Sequence, residues 1–306
     1  MDEIIDRTYL PFSKKSLRSH FIADDEKQYE SQLNYYVKSA SRYHEYITDH
    51  PNTKGIPLSE SRVPRQIEKD ERFWTITTTK TVLDDPEYKK ILRRLLEKTY
   101  GSTPPMPDLS TWCECLDGDL KLYYEVCLPA PQSYIKWLRS NLNNRQIIPY
   151  VLDAAARNNA RTLEGATHVD AMFLNLTNGF AWLIEAKVLS DISYSISFDN
   201  FRNQIARNID VMIENTSEPC AGLEKRNPDR SLFALLTPLQ FKDNHQSRLY
   251  GWLISEYKSN PQSLGRDLRH REGIEWSTIA RRIGWLTFED FNESRPGTCP
   301  WLMMQK

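Results

Sequence analysis

The stretch THVDAMFLNLTNGFAWLIEAKVL, residues 167–189, limits the fold of this chain more than any other. Two apolar runs meet at Asn178-Gly179, a dipeptide that favours a two-residue hairpin turn. Runs this apolar form a central sheet element, covered on both faces. Yet the first carries Asp170, and the second ends in Glu185 and Lys187. Side chains alternate along a strand, so Glu185 and Lys187 share one face, as do His168 and Asp170. Counted outward from the turn, Asp170 lies eight residues before Asn178 and Glu185 six after Gly179. The two acids are therefore expected as near neighbours, offset by about two residues.

Two buried carboxylates cannot both ionise side by side without a compensating cation. A hard divalent metal supplies one: Mg²⁺ takes one or two carboxylates, keeps several waters and completes its octahedron with phosphate oxygens. A lysine beside it stabilises developing charge or helps to deprotonate an attacking water. Such a set is equipped for phosphodiester hydrolysis. The plain alternative is an exposed Glu185/Lys187 pair on an edge strand, with Asp170 solvated at a strand start. Glu256-Tyr257-Lys258 shows that the acid-X-lysine triplet also recurs elsewhere in the chain.

The surrounding sequence predicts layered α/β structure. Residues 25–48 read as a tyrosine-rich helix, and RFWTITTTKTVL (72–83) reads as a strand because of its β-branched residues. Asp84-Asp85-Pro86 starts a helix that Gly101 closes. One face of that helix is Ile91, Leu92, Leu95 and Leu96; another gathers Lys89, Lys90, Arg93 and Arg94, either a solvated face or a phosphate-contacting one. TWCECLDGDLKLYYEVCL is expected to be a second hairpin turning at Asp117-Gly118. A boundary near residue 130 divides an N-terminal domain (1–130) from a second domain (131–306). In the latter a helix from Pro131, the opening hairpin, a helix over 198–216, a buried strand (230–241), a helix (247–260) and a final helix and short strand follow in order. That order predicts a mixed sheet covered by helices. Trp182 and Trp252 are expected in the core, His168 is a packing or site residue, and the C-terminal arginines read as a solvated surface balanced by acids.

Asp170 followed by Glu185-Ala186-Lys187 resembles the D…(D/E)-X-K signature of the PD-(D/E)XK nuclease superfamily, with Val169 standing where the family's proline would be. The resemblance covers roughly residues 131–245. It implies a restriction-endonuclease-like mixed β-sheet core flanked by helices, with a mainly helical or mixed N-terminal extension that recognises a target or a partner. Asp170 and Glu185 would hold Mg²⁺ (Mn²⁺ as a substitute), with the Ala186 carbonyl as a further ligand and Lys187 as the catalytic lysine. Gln204-Ile-Ala-Arg207 resembles the family's Q-X-X-R element, with Gln204 orienting Lys187 or water and Arg207 reaching phosphate. A glutamate from a preceding helix commonly joins the metal; Glu164 is the candidate and Asp153 the second.

The resemblance further implies an endonuclease acting on DNA rather than RNA, in restriction or phage defence, working as a homodimer or with other defence subunits. Two other readings stay open. One is an inert nuclease-like DNA-binding or scaffolding subunit, and the other a two-carboxylate glycosidase that needs no metal. A net charge of −1 argues against a protein that coats nucleic acid through a global basic field, while leaving room for one basic groove. With 40% hydrophobic and 26% charged residues, the chain reads as folded rather than disordered. No apolar run spans a membrane, no export signal opens the sequence, and the five cysteines show no zinc-finger spacing. A cytoplasmic protein with reduced thiols is the expectation.

Overall fold

The computed structural model describes residues 4–7, 9–22, 26–49 (backbone only over 38–49), 69–141, 165–192, 202–215, 222–299 and 302. The chain opens with a small hairpin, β1 (Ile4–Asp6) and β2 (Leu10–Ser13), then a short helix α1 (Lys14–Leu17) and the expected long helix α2 (Glu26–Asp49).

The stretch expected to be a strand is helix α3 (Glu71–Leu83), begun by Asp70, whose carboxylate accepts from Arg72 N. Burial on nearly every side, from Phe73 to Lys80, overrides the β-branched propensity. Two of its threonines find partners within the helix, the Thr75 and Thr79 hydroxyls donating back to the carbonyls of Glu71 and Thr75 at 2.8 and 2.7 Å, and Thr77 donates to Tyr9 O at 2.7 Å. Helix α4 (Tyr88–Tyr100) ends at Gly101 with φ 94°, and its face of Ile91, Leu92, Leu95 and Leu96 is buried as expected. The second expected hairpin is a short helix followed by a strand: α5 (Trp112–Leu116), capped by the Thr111 hydroxyl, then β3 (Leu120–Leu128). The capping oxygen gives the first arm a helical start that its alternating pattern concealed.

After helix α6 (Gln132–Asn141) come β4 (Thr167–Asn175) and β5 (Ala181–Ala186), then α7 (Gln204–Met212) and β6 (Ser231–Thr237). Helices α8 (Leu239–Asp243), α9 (Leu249–Ser259), α10 (Gln262–Asp267) and α11 (Trp276–Arg281) lead to β7 (Ile283–Thr287) and α12 (Phe288–Ser294). The strands form one mixed sheet, ordered β3-β4-β5-β6-β7. The β3/β4 and β4/β5 pairs are antiparallel, and β5/β6 and β6/β7 are parallel.

Both faces of this sheet are covered. Trp74 of α3, Leu92 of α4 and Phe288 of α12 pack with Phe173, Trp182 and Ile184 on one face. Ile205 and Ile209 of α7 and Ile254 of α9 pack with Met172, Leu183 and Leu235 on the other. The expected boundary at residue 130 does not separate two cores. Strand β3 lies before it yet pairs with β4, and α3 and α4 share the first core with the hairpin. Trp182 is fully buried as expected, whereas Trp252 is 54% exposed. Tyr250, Leu253, Ile254 and Tyr257 make the buried face of α9, and Trp252 falls outside that stripe. Arg282 departs from the expected solvated surface: it is buried, with Nε donating to Ser231 O at 2.8 Å. No helix of the described residues is long and apolar enough to cross a membrane.

The β4–β5 connection is longer than the two-residue turn expected. Asn175 N donates to Phe180 O and Gly179 N to Asn175 O, both at 2.8 Å, so residues 176–179 form the loop. Asn175 fixes it, accepting from Thr177 N and donating to the carbonyls of Cys115 and Asp117. Gly179, with φ 77°, supplies the left-handed step, and a Cβ there would meet Lys225 O at 2.8 Å. The extra residues move the register by two, and that shift decides how the acids meet.

Candidate active site

Strands β5, β6 and β7 run parallel and end together: Ala186 pairs with Leu236, and Thr237 with Thr287. The carboxyl ends of such strands form the usual crevice of an α/β sheet. Glu185 and Lys187 stand there, 1% and 6% exposed. Lys187 Nζ donates to Glu185 Oε1 at 2.8 Å and to Glu71 Oε2 at 3.3 Å. Gln204 Nε2 also donates to Glu185 Oε1, and Asn208 Nδ2 donates to Oε2 at 3.3 Å. Gln204 and Asn208 stand one turn apart on α7, whose start is fixed by Asn203 Oδ1 accepting from Ala206 N at 2.9 Å. On the other side the Ser190 hydroxyl donates to Glu71 Oε1.

Asp170 belongs to the same place. Its Oδ2 accepts from Ala186 N at 2.7 Å. The β4–β5 register pairs Ala171 with Ile184, so one step further sets Asp170 directly beside Glu185, not two residues away. In the β3–β4 pair, Tyr124 matches Ala171 and Val126 matches Val169, which places Glu125 on the other side of Asp170. Three acidic residues thus stand on three neighbouring strands, the Glu125 carboxylate accepting from the Tyr36 hydroxyl at 3.0 Å. Glu125 has φ 50°, a left-handed backbone that among the described residues no other non-glycine residue adopts. Such conformations cost about 1–3 kcal/mol and persist where the surroundings enforce them. Here the turn of the backbone switches β3 between faces: Leu122 and Tyr124 pack in one core, Val126 and Leu128 in the other.

The electrostatics are those of a site short of positive charge. Burial, and then the neighbouring Glu185 carboxylate, push the Asp170 carboxyl well above its ordinary range. Burial also raises Glu185, although Lys187 opposes the shift. For Lys187, burial alone would favour the neutral amine, but Glu185, Glu71 and Asp170 outweigh it and hold the ammonium charged. In this arrangement Lys187 is a fixed cation, not a proton acceptor.

Among the described residues no three His, Cys, Asp or Glu side chains converge as a metal cage. The donor set is smaller: Asp170 and Glu185, neighbours in an excess of negative charge. Two carboxylates suit Mg²⁺, which needs few protein oxygens and takes the rest from water and substrate.

Of the expected site residues, Asp170, Glu185, Lys187 and Gln204 are brought together. Arg207 is near, but its Nη2 donates to the carbonyls of Gly165 and Ala166 at 3.2 and 3.4 Å, bracing the start of β4. Glu164 and Asp153 lie outside the described residues. The basic group on α4 sits elsewhere. Lys89 reaches Gly118 O and Asp117, Lys90 pairs with Glu87, and Arg93 with Glu97, while Arg94 is exposed. Gly118 abuts Thr177, so this cluster marks the turn end of the hairpin, the opposite end of the sheet from the acids.

Sequence reasoning missed Glu71, Glu125 and Asn208. Asn208 follows Gln204 by one helical turn and was legible from that spacing. Glu71 was hidden by the mistaken strand, and Glu125 by the mistaken hairpin. No protein-family model, curated protein or solved structure matches this chain.

Proposed function

We propose that the chain is a Mg²⁺-dependent nuclease built on a restriction-endonuclease-like sheet and cutting DNA. The observation that carries this reading is the Asp170–Glu185 pair, side by side on the antiparallel strands β4 and β5 at the edge where β5, β6 and β7 end, with Lys187 2.8 Å from Glu185. Asp170 and Glu185 would hold the metal, and Glu71, 3.3 Å from Lys187 Nζ, is a further carboxylate at the site. Held by Asp170 and Glu185, Mg²⁺ would supply an acidified water and charge neutralisation at the phosphoryl oxygens.

The protein's own groups do the rest. Gln204 and Asn208 hold the Glu185 carboxylate in one orientation. Glu71 and Glu185 keep Lys187 charged and aimed, so that its ammonium stabilises the negative charge that grows on the phosphate. Burial strengthens that attraction by excluding water. The described residues hold one such site per chain, so cutting both strands of a duplex calls for two copies. Plasmid DNA incubated with the protein and Mg²⁺ tests the reading. Cleavage should occur with wild type, cease with EDTA, and be lost in Glu185→Gln and Lys187→Met; equal cutting by all three proteins would sink the assignment.

A further inference from the structure

Trp252 leaves more than half of its surface open to solvent, the most of any large apolar side chain among the described residues. It is exposed yet held in place. Its indole N–H donates to Gln246 O at 3.1 Å, and a Cβ on Gly251 would collide with His245 O, so the preceding turn seats the first turn of α9 without a gap. With the N–H satisfied, the open part of the ring is carbon. Two other exposed apolar side chains, Leu189 and Leu239, follow β5 and β6 at this same end of the sheet. The start of α9 is tied to the acid site. The Asp191 carboxylate accepts from Leu249 N at 2.8 Å and Tyr250 N at 3.3 Å, and its neighbour Ser190 donates to Glu71. One turn before Trp252 stands Arg248, its guanidinium 4.4 Å from the centre of the Phe241 ring. One of its nitrogens donates to Ser247 O at 3.0 Å, and no carboxylate among the described residues pairs with it.

We propose that this surface binds an unpaired nucleotide of a single strand, its base stacked on Trp252 and its phosphate at Arg248. An open aromatic ring beside a cation is the pairing that grips single-stranded nucleic acid, and it accepts any base because every base has a flat face. The uncompensated guanidinium calls for an anion, which a nucleotide brings along with its base and an apolar protein segment does not. A duplex keeps its base faces inside its own stack, so it offers the indole nothing until a base is turned out. That the nucleotide flanks the bond being cut, which would make the substrate a DNA with an unpaired segment beside the cut, rests on the nuclease reading; the binding itself does not.

Full-length protein titrated in EDTA into a labelled oligothymidine strand, and into the same strand paired as a blunt duplex, tests the surface by fluorescence anisotropy. The single strand should bind about tenfold more tightly than the duplex, and Trp252→Ala should lose roughly tenfold in strand affinity, the usual cost of one stacked base. Trp252→Phe, which keeps a stacking ring, should retain most of the binding, and Arg248→Met should flatten its salt dependence. Equal affinity for strand and duplex, no binding of either, or unchanged strand binding in Trp252→Ala would overturn the proposal. So would a dimer in sedimentation that Trp252→Ala dissolves with strand binding unchanged, since the face would then be a contact between two copies. The two readings fail separately. Strand binding without Mg²⁺-dependent cleavage leaves the surface standing, and cleavage with no strand preference leaves only the nuclease.

Discussion

Lys187 Nζ lies 3.3 Å from Glu71 Oε2, joining the end of a sheet strand to the first residue of a helix 116 positions earlier in the chain. Glu71 therefore helps to hold Lys187 charged and in place. Glu71→Gln should lower the rate of Mg²⁺-dependent cleavage by roughly 10–100-fold, the usual cost of losing a group that orients a site. Lys187→Met should lower it by about 100-fold or more, the cost of losing direct charge stabilisation. Single-turnover kinetics with circular dichroism on each variant checks both.

The raised carboxyls make a stability prediction. Asp170 and Glu185 bind protons more readily folded than unfolded. Stability without metal must then fall as pH rises from the ordinary carboxylate range through their raised values. Millimolar Mg²⁺ should oppose that fall, because it binds the ionised pair. Melting curves from pH 4 to 8, with Mg²⁺ and with EDTA, should diverge towards higher pH; parallel curves would contradict metal binding at this pair.

Asp170→Asn removes the like charge and keeps the shape and the acceptor for Ala186 N. In EDTA at pH 7.5 it should stabilise the protein by about 1 kcal/mol or more, since each tenfold change in proton affinity is worth about 1.4 kcal/mol. It should also abolish cleavage. Chemical denaturation of both proteins measures the first effect, and a lower midpoint for the variant would refute it.

A second buried acid behaves in the opposite way. Asp210 is fully buried and accepts from Arg202 at 2.6 Å, His270 at 3.0 Å and Arg271 at 2.8 Å. Burial works to raise its carboxyl, but these partners prevail and hold it low. Its contribution is present above the ordinary aspartate range and is lost as pH falls through the depressed value. Asp210→Asn should cost about 3–5 kcal/mol, since it leaves buried cations uncompensated. Urea denaturation at neutral pH gives the number.

The sheet was legible where burial and pattern agreed. The hairpin, the apolar run of β6 and the helices α2, α4 and α9 were legible; α4 buries the expected face, whereas Trp252 on α9 lies outside the core. The failures share a cause. In 72–83, β-branched residues signalled a strand, but a helix buried all round leaves no polar face to betray its period. In the 176–179 loop, the Asn178-Gly179 signal was real, yet the contacts of Asn175 to Cys115 and Asp117 set the turn length. Those contacts span about sixty residues and leave no trace in local sequence. The pair of acids was therefore readable, while its exact alignment and its partners Glu71 and Glu125 were not.

The left-handed step at Glu125 also bears on how the protein acquires its activity. The acid row, Lys187 and the α7 amides come from chain segments before residue 130 and after residue 165, and no shorter piece holds them all. A ribosome-bound or clipped fragment that ends before α7 lacks part of the set. On the nuclease reading, the protein therefore arms its cutting site only once those distant segments have met.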